Sequence, residues 1–145
     1  MISVLVQILV GIAGGIAAGM QAPFTGVMGQ KMGDVASVFI TYVGGAILII
    51  IIALVTGGNG LSEWRSVPWY VLLAGPVGLV IIGSLSYTVP RLGTSTATTL
   101  FILSWLIFSA VVDHFGWFGL EARALNLSRT VGIGALLLGT WLVIR

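Results

Sequence analysis

Residues 46–55 read Ala46-Ile47-Leu48-Ile49-Ile50-Ile51-Ile52-Ala53-Leu54-Val55, an apolar run with no charge and no helix breaker. Read outward, the uncharged stretch continues from Val35 to Thr56. That is the roughly 20 apolar residues a helix needs to cross a bilayer. A spanning segment must satisfy its own backbone hydrogen bonds, so only helices or a closed barrel are open to it. Barrel strands alternate apolar and polar residues over about ten positions, and this run does not alternate. The reading is therefore an all-α integral membrane protein.

Composition supports the same solvent. Of 145 residues, 58 % are hydrophobic and 7 % charged, against about 25 % charged in a soluble domain. The six Lys and Arg are scattered singly, giving a net charge of +2 and no basic patch, so no nucleic-acid partner is expected. The absence of Cys removes disulfides, thiolate metal sites and thiol nucleophiles. One His cannot build a multi-histidine site, so neither a metal nor a cofactor is expected.

Four further segments read as membrane helices. The first covers Ile2 to Met28; it lacks a basic leader and is too long for a signal peptide, so it is taken as a span. Pro23 within it removes a backbone donor and crowds the carbonyl of Gly19, which predicts a kink or tilt. After Val35–Thr56 comes the turn Gly57-Gly58-Asn59-Gly60, then Trp64, Trp69 and Tyr70 as interfacial aromatics ahead of a third span, Pro68 to Val89. Pro90-Arg91-Leu92-Gly93 connects tightly to a fourth, Ser95 to Val112. The fifth, 128–144, has 15 uncharged residues from Thr130 to Ile144, about 22 Å of helix against a core of roughly 30 Å. The bundle has five helices, or four if this last one fails to span. A single transmembrane domain over 1–145 is expected.

Small residues argue for close helix packing. Gly11, Gly15 and Gly19 form overlapping G-x-x-x-G spacings in the first helix, next to Pro23. No internal repeat is visible in the residues. With five spans, Arg65, Arg123 and Arg129 fall on the N-terminal side and Lys31, Arg91 and Arg145 on the other. This balance gives the positive-inside rule nothing to decide. A balanced chain with an odd number of helices can insert both ways, and two such copies make the inverted-repeat arrangement of many transporters. An antiparallel homodimer, or pairing with a homologous half, follows as an expectation.

The segment Asp113-His114-Phe115-Gly116-Trp117-Phe118-Gly119, together with Gln21-Ala22-Pro23 and Pro90-Arg91-Leu92-Gly93, resembles the YdcZ family, formerly a domain of unknown function. This family is part of the drug/metabolite transporter superfamily of bacterial inner membranes. The resemblance covers essentially the whole chain. It implies units of about five helices, export of a small molecule, and residence as a multi-pass protein in the inner membrane of a prokaryote. Members usually carry Asn where this chain has Thr25, and often Gly-Gln where it has Ser104-Trp105. If the family's amides contact substrate there, this chain's substrate or binding mode differs from theirs.

The residues themselves point to binding rather than catalysis. No Asp, Glu, Lys, Arg or His falls inside the first four predicted spans or between Thr130 and Ile144 of the fifth, and no nucleophile, base and orienter set exists. Asp113 and His114 are adjacent, about 100° apart on a helix, so they do not face each other as an acid–base pair. They remain candidates for a proton or gating role, and otherwise cap and anchor the helix end. Gln21 and Thr25 share a helix face at i and i+4 beside Pro23. An amide in hydrocarbon must be paired or face a cavity. Gln21, Thr25, Ser104 and the mid-span Trp105 are thus the expected substrate-binding residues, with helix stapling and packing as the plainer alternatives. The expected function is a non-enzymatic small-molecule transporter, with alternating access between inverted halves; a non-transporting membrane scaffold is the rival.

Overall fold

A computed structural model describes residues 2–58 and 60–145, so Asn59 of the expected turn lies outside the described residues. Among those described, five helices are long and apolar enough to cross a membrane, and there is no strand. The helices are α1 (Ile2–Met32), α2 (Asp34–Thr56), α3 (Ala74–Leu92), α4 (Thr94–Phe115) and α5 (Leu127–Ile144). Contacts gather them into two compact units, Met1–Arg91 and Leu92–Arg145.

The helix ends follow local chemistry. α1 continues through Pro23 and ends only at Met32, because Gly33 takes φ 87°, ψ 157°. That backbone region is essentially reserved for glycine. One residue thus suffices to join α1 to α2. The tightness is visible in the hydrogen bonds from Gly33 N to Gly29 O (2.9 Å) and from Ser37 N to Gly33 O (3.0 Å). α2 closes on a left-handed Gly57. Two 3-10 turns follow, Leu61–Arg65 and Trp69–Leu73; the second carries the expected interfacial aromatics Trp69 and Tyr70. α3 proper therefore starts later than Pro68, and it runs past Val89 through Pro90 to Leu92. α4 likewise runs past Val112 to Phe115, where Gly116 at φ 61° stops it. Asn126 caps α5, its side-chain oxygen accepting from Arg129 N at 2.9 Å.

In the first unit α1 packs on α2 through small and hydroxylated residues. Ser37, fully buried, donates from Oγ to the Thr25 carbonyl at 3.0 Å, a hydrogen bond between helices. Thr25, also buried, donates from its hydroxyl to the carbonyls of Ala22 (2.9 Å) and Gln21 (3.2 Å). Gly26 and Gly29 admit α3. A Cβ on Gly26 would run into Val89, and one on Gly29 would meet Ser86 and the Asp34 carboxylate. Ser86 Oγ in turn donates to Asp34 Oδ1 at 2.8 Å, tying α3 to the first turn of α2.

In the second unit α4 packs on α5. The segment between them is held to the end of α4 by Arg123 N donating to the Asp113 carbonyl (2.7 Å) and Leu125 N donating to His114 Nδ1 (3.2 Å). Arg129 and Asp113 form an ion pair at 3.6 Å.

A repeat invisible in the residues appears in the exposure pattern. Residues 21–38 and 81–98 match position by position in burial, differing only at Gly29 and Gln30 against Val89 and Pro90. Gly33 and Gly93 occupy equivalent places with nearly equal backbone angles, φ 87°, ψ 157° and φ 82°, ψ 154°. Ser37 N bonds to Gly33 O as Ala97 N bonds to Gly93 O.

Many large apolar side chains point outward, among them Ile47 to Ile52 of the run that decided the fold. Water could not solvate such a surface; hydrocarbon does.

Candidate substrate-binding site

The first unit contains a cavity of about 530 Å³, a size suited to a small molecule. α1 contributes Gln21 to it; α2 contributes Thr41, Tyr42, Gly45, Ala46 and Ile49; α3 contributes Gly78, Ile81 and Ile82. The opening arises from residue size. Gly45 and Ala46 leave the α2 wall thin, and Gly78 lies against the Tyr42 ring, where any Cβ would collide with the phenol oxygen.

Polar groups in this cavity are few and uncharged. Gln21 offers an amide donor and acceptor. Thr41 donates its hydroxyl hydrogen to the Ser37 carbonyl at 2.9 Å, so its oxygen faces outward as an acceptor. Tyr42 brings a phenol. Among the described residues, no Asp, Glu, Lys, Arg or His lines the space.

Of the residues singled out from sequence, Gln21 is the one in this cavity. Thr25, one turn on, is buried with its hydroxyl committed to the carbonyls of Ala22 and Gln21, and it is not part of the lining. Trp105 and Ser104 belong to the second unit. There Trp105 is largely exposed and leans on Phe101 with ring centroids 5.9 Å apart, while the Ser104 hydroxyl donates to the Leu100 carbonyl at 2.9 Å. Gln21 and Thr25 thus belong to the first unit, and Ser104 and Trp105 to the second. Apart from the adjoining backbone of α1 itself, no described atom stands within 4 Å of where a Cβ on Gly11, Gly15 or Gly19 would be. Close packing of α1 within the chain is instead the work of Gly26 and Gly29.

Thr41, Tyr42 and Gly78 were not anticipated. The Thr-Tyr pair stands ahead of Gly44-Gly45 inside an otherwise apolar helix, but nothing local to it says that it faces a cavity.

Asp113 and His114 hold a loop. Besides the two hydrogen bonds to Arg123 and Leu125, His114 meets Phe115 edge-on at 4.9 Å, and Phe115 stacks on Trp117 at 5.7 Å. Gly116 turns so tightly that a Cβ would stand 3.0 Å from the Leu120 carbonyl oxygen. The Asp-His-Phe-Gly segment thus works as a loop clasp. Among the described residues no cluster of His, Asp and Glu could hold a metal ion.

Comparison with known proteins gives one finding. The model of the family described as "Putative inner membrane exporter, YdcZ" matches residues 6–142. No curated protein and no solved structure matches the chain.

Proposed function

Because the chain belongs to the YdcZ family of multi-pass inner-membrane exporters, we propose that it moves small amphipathic molecules with an uncharged polar group through the Gln21 cavity. The observation carrying this reading is the cavity's chemistry, with an amide, two hydroxyls and apolar walls but no ionised side chain. An ion taken into such a site would lose its hydration without compensation. A neutral polar group would find donors and acceptors in Gln21, Thr41 and Tyr42, and its apolar body would rest on Ile49, Ile81 and Ile82.

Transport proceeds in this proposal by alternating access between two inverted copies, or between this chain and a homologous half. Three Lys and Arg on each side of the five spans support insertion both ways. The uncovered Gly11-Gly15-Gly19 stripe supports a helix partner from a second chain. Thr25 acts by holding α1 to α2 beneath Gln21, and Trp105 and Ser104 line the substrate's path in the second unit. Any gate formed by Asp113 and His114 works by releasing the loop they clasp.

The test is Gln21→Leu, scored for export from cells and, separately, for insertion and yield. Loss of export by a well-inserted variant is expected. Normal export would remove Gln21 from the site. Preference for permanent cations over neutral homologues would overturn the substrate class while leaving export itself in place.

A further inference from the structure

The second unit has a groove of its own, about 350 Å³, between α4 and α5. Leu106 and Ala110 of α4 and Ile133 and Leu136 of α5 form its apolar walls, at the spacings that place residues on one helix face. Gly132 forms part of the wall, and a Cβ there would meet nothing within 4 Å. At one end sit Asp113 and Arg129, the last charged pair before the apolar length of both helices. Apolar slot and polar mouth are thus continuous.

The mouth carries both signs of charge and leaves both partly unused. Asp113 and Arg129 approach only to 3.6 Å, and their side chains stay 41 % and 43 % exposed. One contact at that distance leaves most of the guanidinium donors and carboxylate lone pairs available. Arg129 also stands in the first turn of α5, where the helix dipole already presents positive charge. A cation there is unfavourable unless an anion joins it, and the loose contact with Asp113 offsets this only in part. The site therefore calls for one more anion beside Arg129 and offers a carboxylate to a cation beside it.

We propose that this groove binds a zwitterionic aminophospholipid, phosphatidylethanolamine, from the surrounding bilayer. Its phosphate takes the Arg129 guanidinium, its ammonium donates N–H to the Asp113 carboxylate, and an acyl chain lies along Leu106, Ala110, Ile133 and Leu136. Both charges of the headgroup are matched, which a purely anionic headgroup would not achieve beside Asp113. The level fits as well, since a charged pair at the end of two spans stands where headgroups lie. The lipid would act as a third surface holding α4 and α5 at their charged end. This assignment is independent of the Gln21 cavity and stands or falls without it.

The experiment uses the full chain in detergent, supplemented with phosphatidylethanolamine, phosphatidylcholine or free phosphorylethanolamine. Bound lipid is read by native mass spectrometry, and the unfolding midpoint by heating. Phosphatidylethanolamine should be retained and should raise the midpoint. Phosphatidylcholine, whose quaternary ammonium has no N–H to donate, should be retained less and shift it less. Asp113→Asn should lose the preference between the two lipids. Gly132→Leu fills the slot without touching the ion pair or a glycine-only backbone, so it should fold and fail to retain either lipid. Equal retention of the two lipids by the unaltered chain, or undiminished retention by Gly132→Leu, would overturn the proposal. A midpoint shift by phosphorylethanolamine equal to that of the lipid would do so too, and would mark a headgroup or free-phosphate site.

Discussion

The stretches 21–38 and 81–98 bury nearly the same positions and turn at the same kind of glycine, yet they fill most of those positions with different chemistry. The first buries Ala22, Thr25, Gly26 and Ser37; their counterparts in the second are Ile82, Leu85, Ser86 and Ala97, so Ser86 is the one buried hydroxyl of the second. Small hydroxylated residues let two backbones meet and exchange a hydrogen bond, which in hydrocarbon has no water to compete with it. Branched apolar residues fill space instead and contribute dispersion contacts. Where the first stretch exposes Gln21, the second exposes Ile81, and both line the same cavity in the first unit. One backbone plan thus yields a polar wall and an apolar wall. The polar group is an addition to a plan that does not require it.

The largest effect should come from breaking the contact by which the two stretches meet, Gly29 and Asp34 of the first against Ser86 of the second. Gly29→Val would drive a branched side chain into the Ser86 hydroxyl and the Asp34 carboxylate, and push α3 away from α1. Overpacking costs about 1–3 kcal/mol at ordinary sites, and here the Ser86–Asp34 hydrogen bond is lost as well. The yield of monodisperse protein in detergent should fall sharply; unchanged yield and melting would show that α3 does not pack as described.

Next come the two glycines that should behave alike. Gly33→Ala and Gly93→Ala each force a side chain into a glycine-only backbone region, at about 1–3 kcal/mol. Comparable drops in unfolding midpoint would confirm the shared turn. A drop at one position alone would break the equivalence of the two stretches.

Gly78→Ala separates cavity from fold. The added methyl must displace the Tyr42 hydroxyl, so export should fall while the unfolding midpoint moves little. Equal loss of both would mark Tyr42 as packing only.

The smallest effects sharpen the contrast in chemistry. Ser37→Ala removes an interhelical hydrogen bond, a loss of about 0.6 kcal/mol and up to about 1.7 kcal/mol by membrane-protein precedent. Ala97→Ser, the reciprocal change, places a hydroxyl that can satisfy itself on a carbonyl one turn back, at no more than about 1 kcal/mol either way. Equilibrium unfolding of both variants in one detergent checks the pair. A larger effect at Ala97 than at Ser37 would reverse the assignment of polar and apolar closure.

Much of the fold was legible from residues such as the Ile47–Ile52 run, because hydrocarbon leaves a polypeptide few ways to satisfy its backbone. Helix ends were less legible. Met32 and Phe115 extend helices beyond the apolar residues, since the glycine that follows, and not loss of hydrophobicity, stops them. In the site, Gln21 was legible as an amide without an evident partner in an apolar span. Thr41 and Tyr42 were not, because a hydroxyl in a helix can always bond its own backbone, and nothing local says whether it also faces a cavity. The Thr25 hydroxyl does the opposite of Gln21 for that reason.

By itself the sequence determined the solvent, the helices and the family. These depend on composition and on apolar runs, properties summed along the chain. Only the tertiary structure decided which small residues touch. Gly26 and Gly29 pack while Gly11, Gly15 and Gly19 do not, although all five are the same residue in the same helix. It also decided that residues sixty positions apart, with almost no identity, occupy equivalent places. Close packing depends on what approaches from a distant part of the chain, and a stretch of sequence carries no record of what comes to meet it.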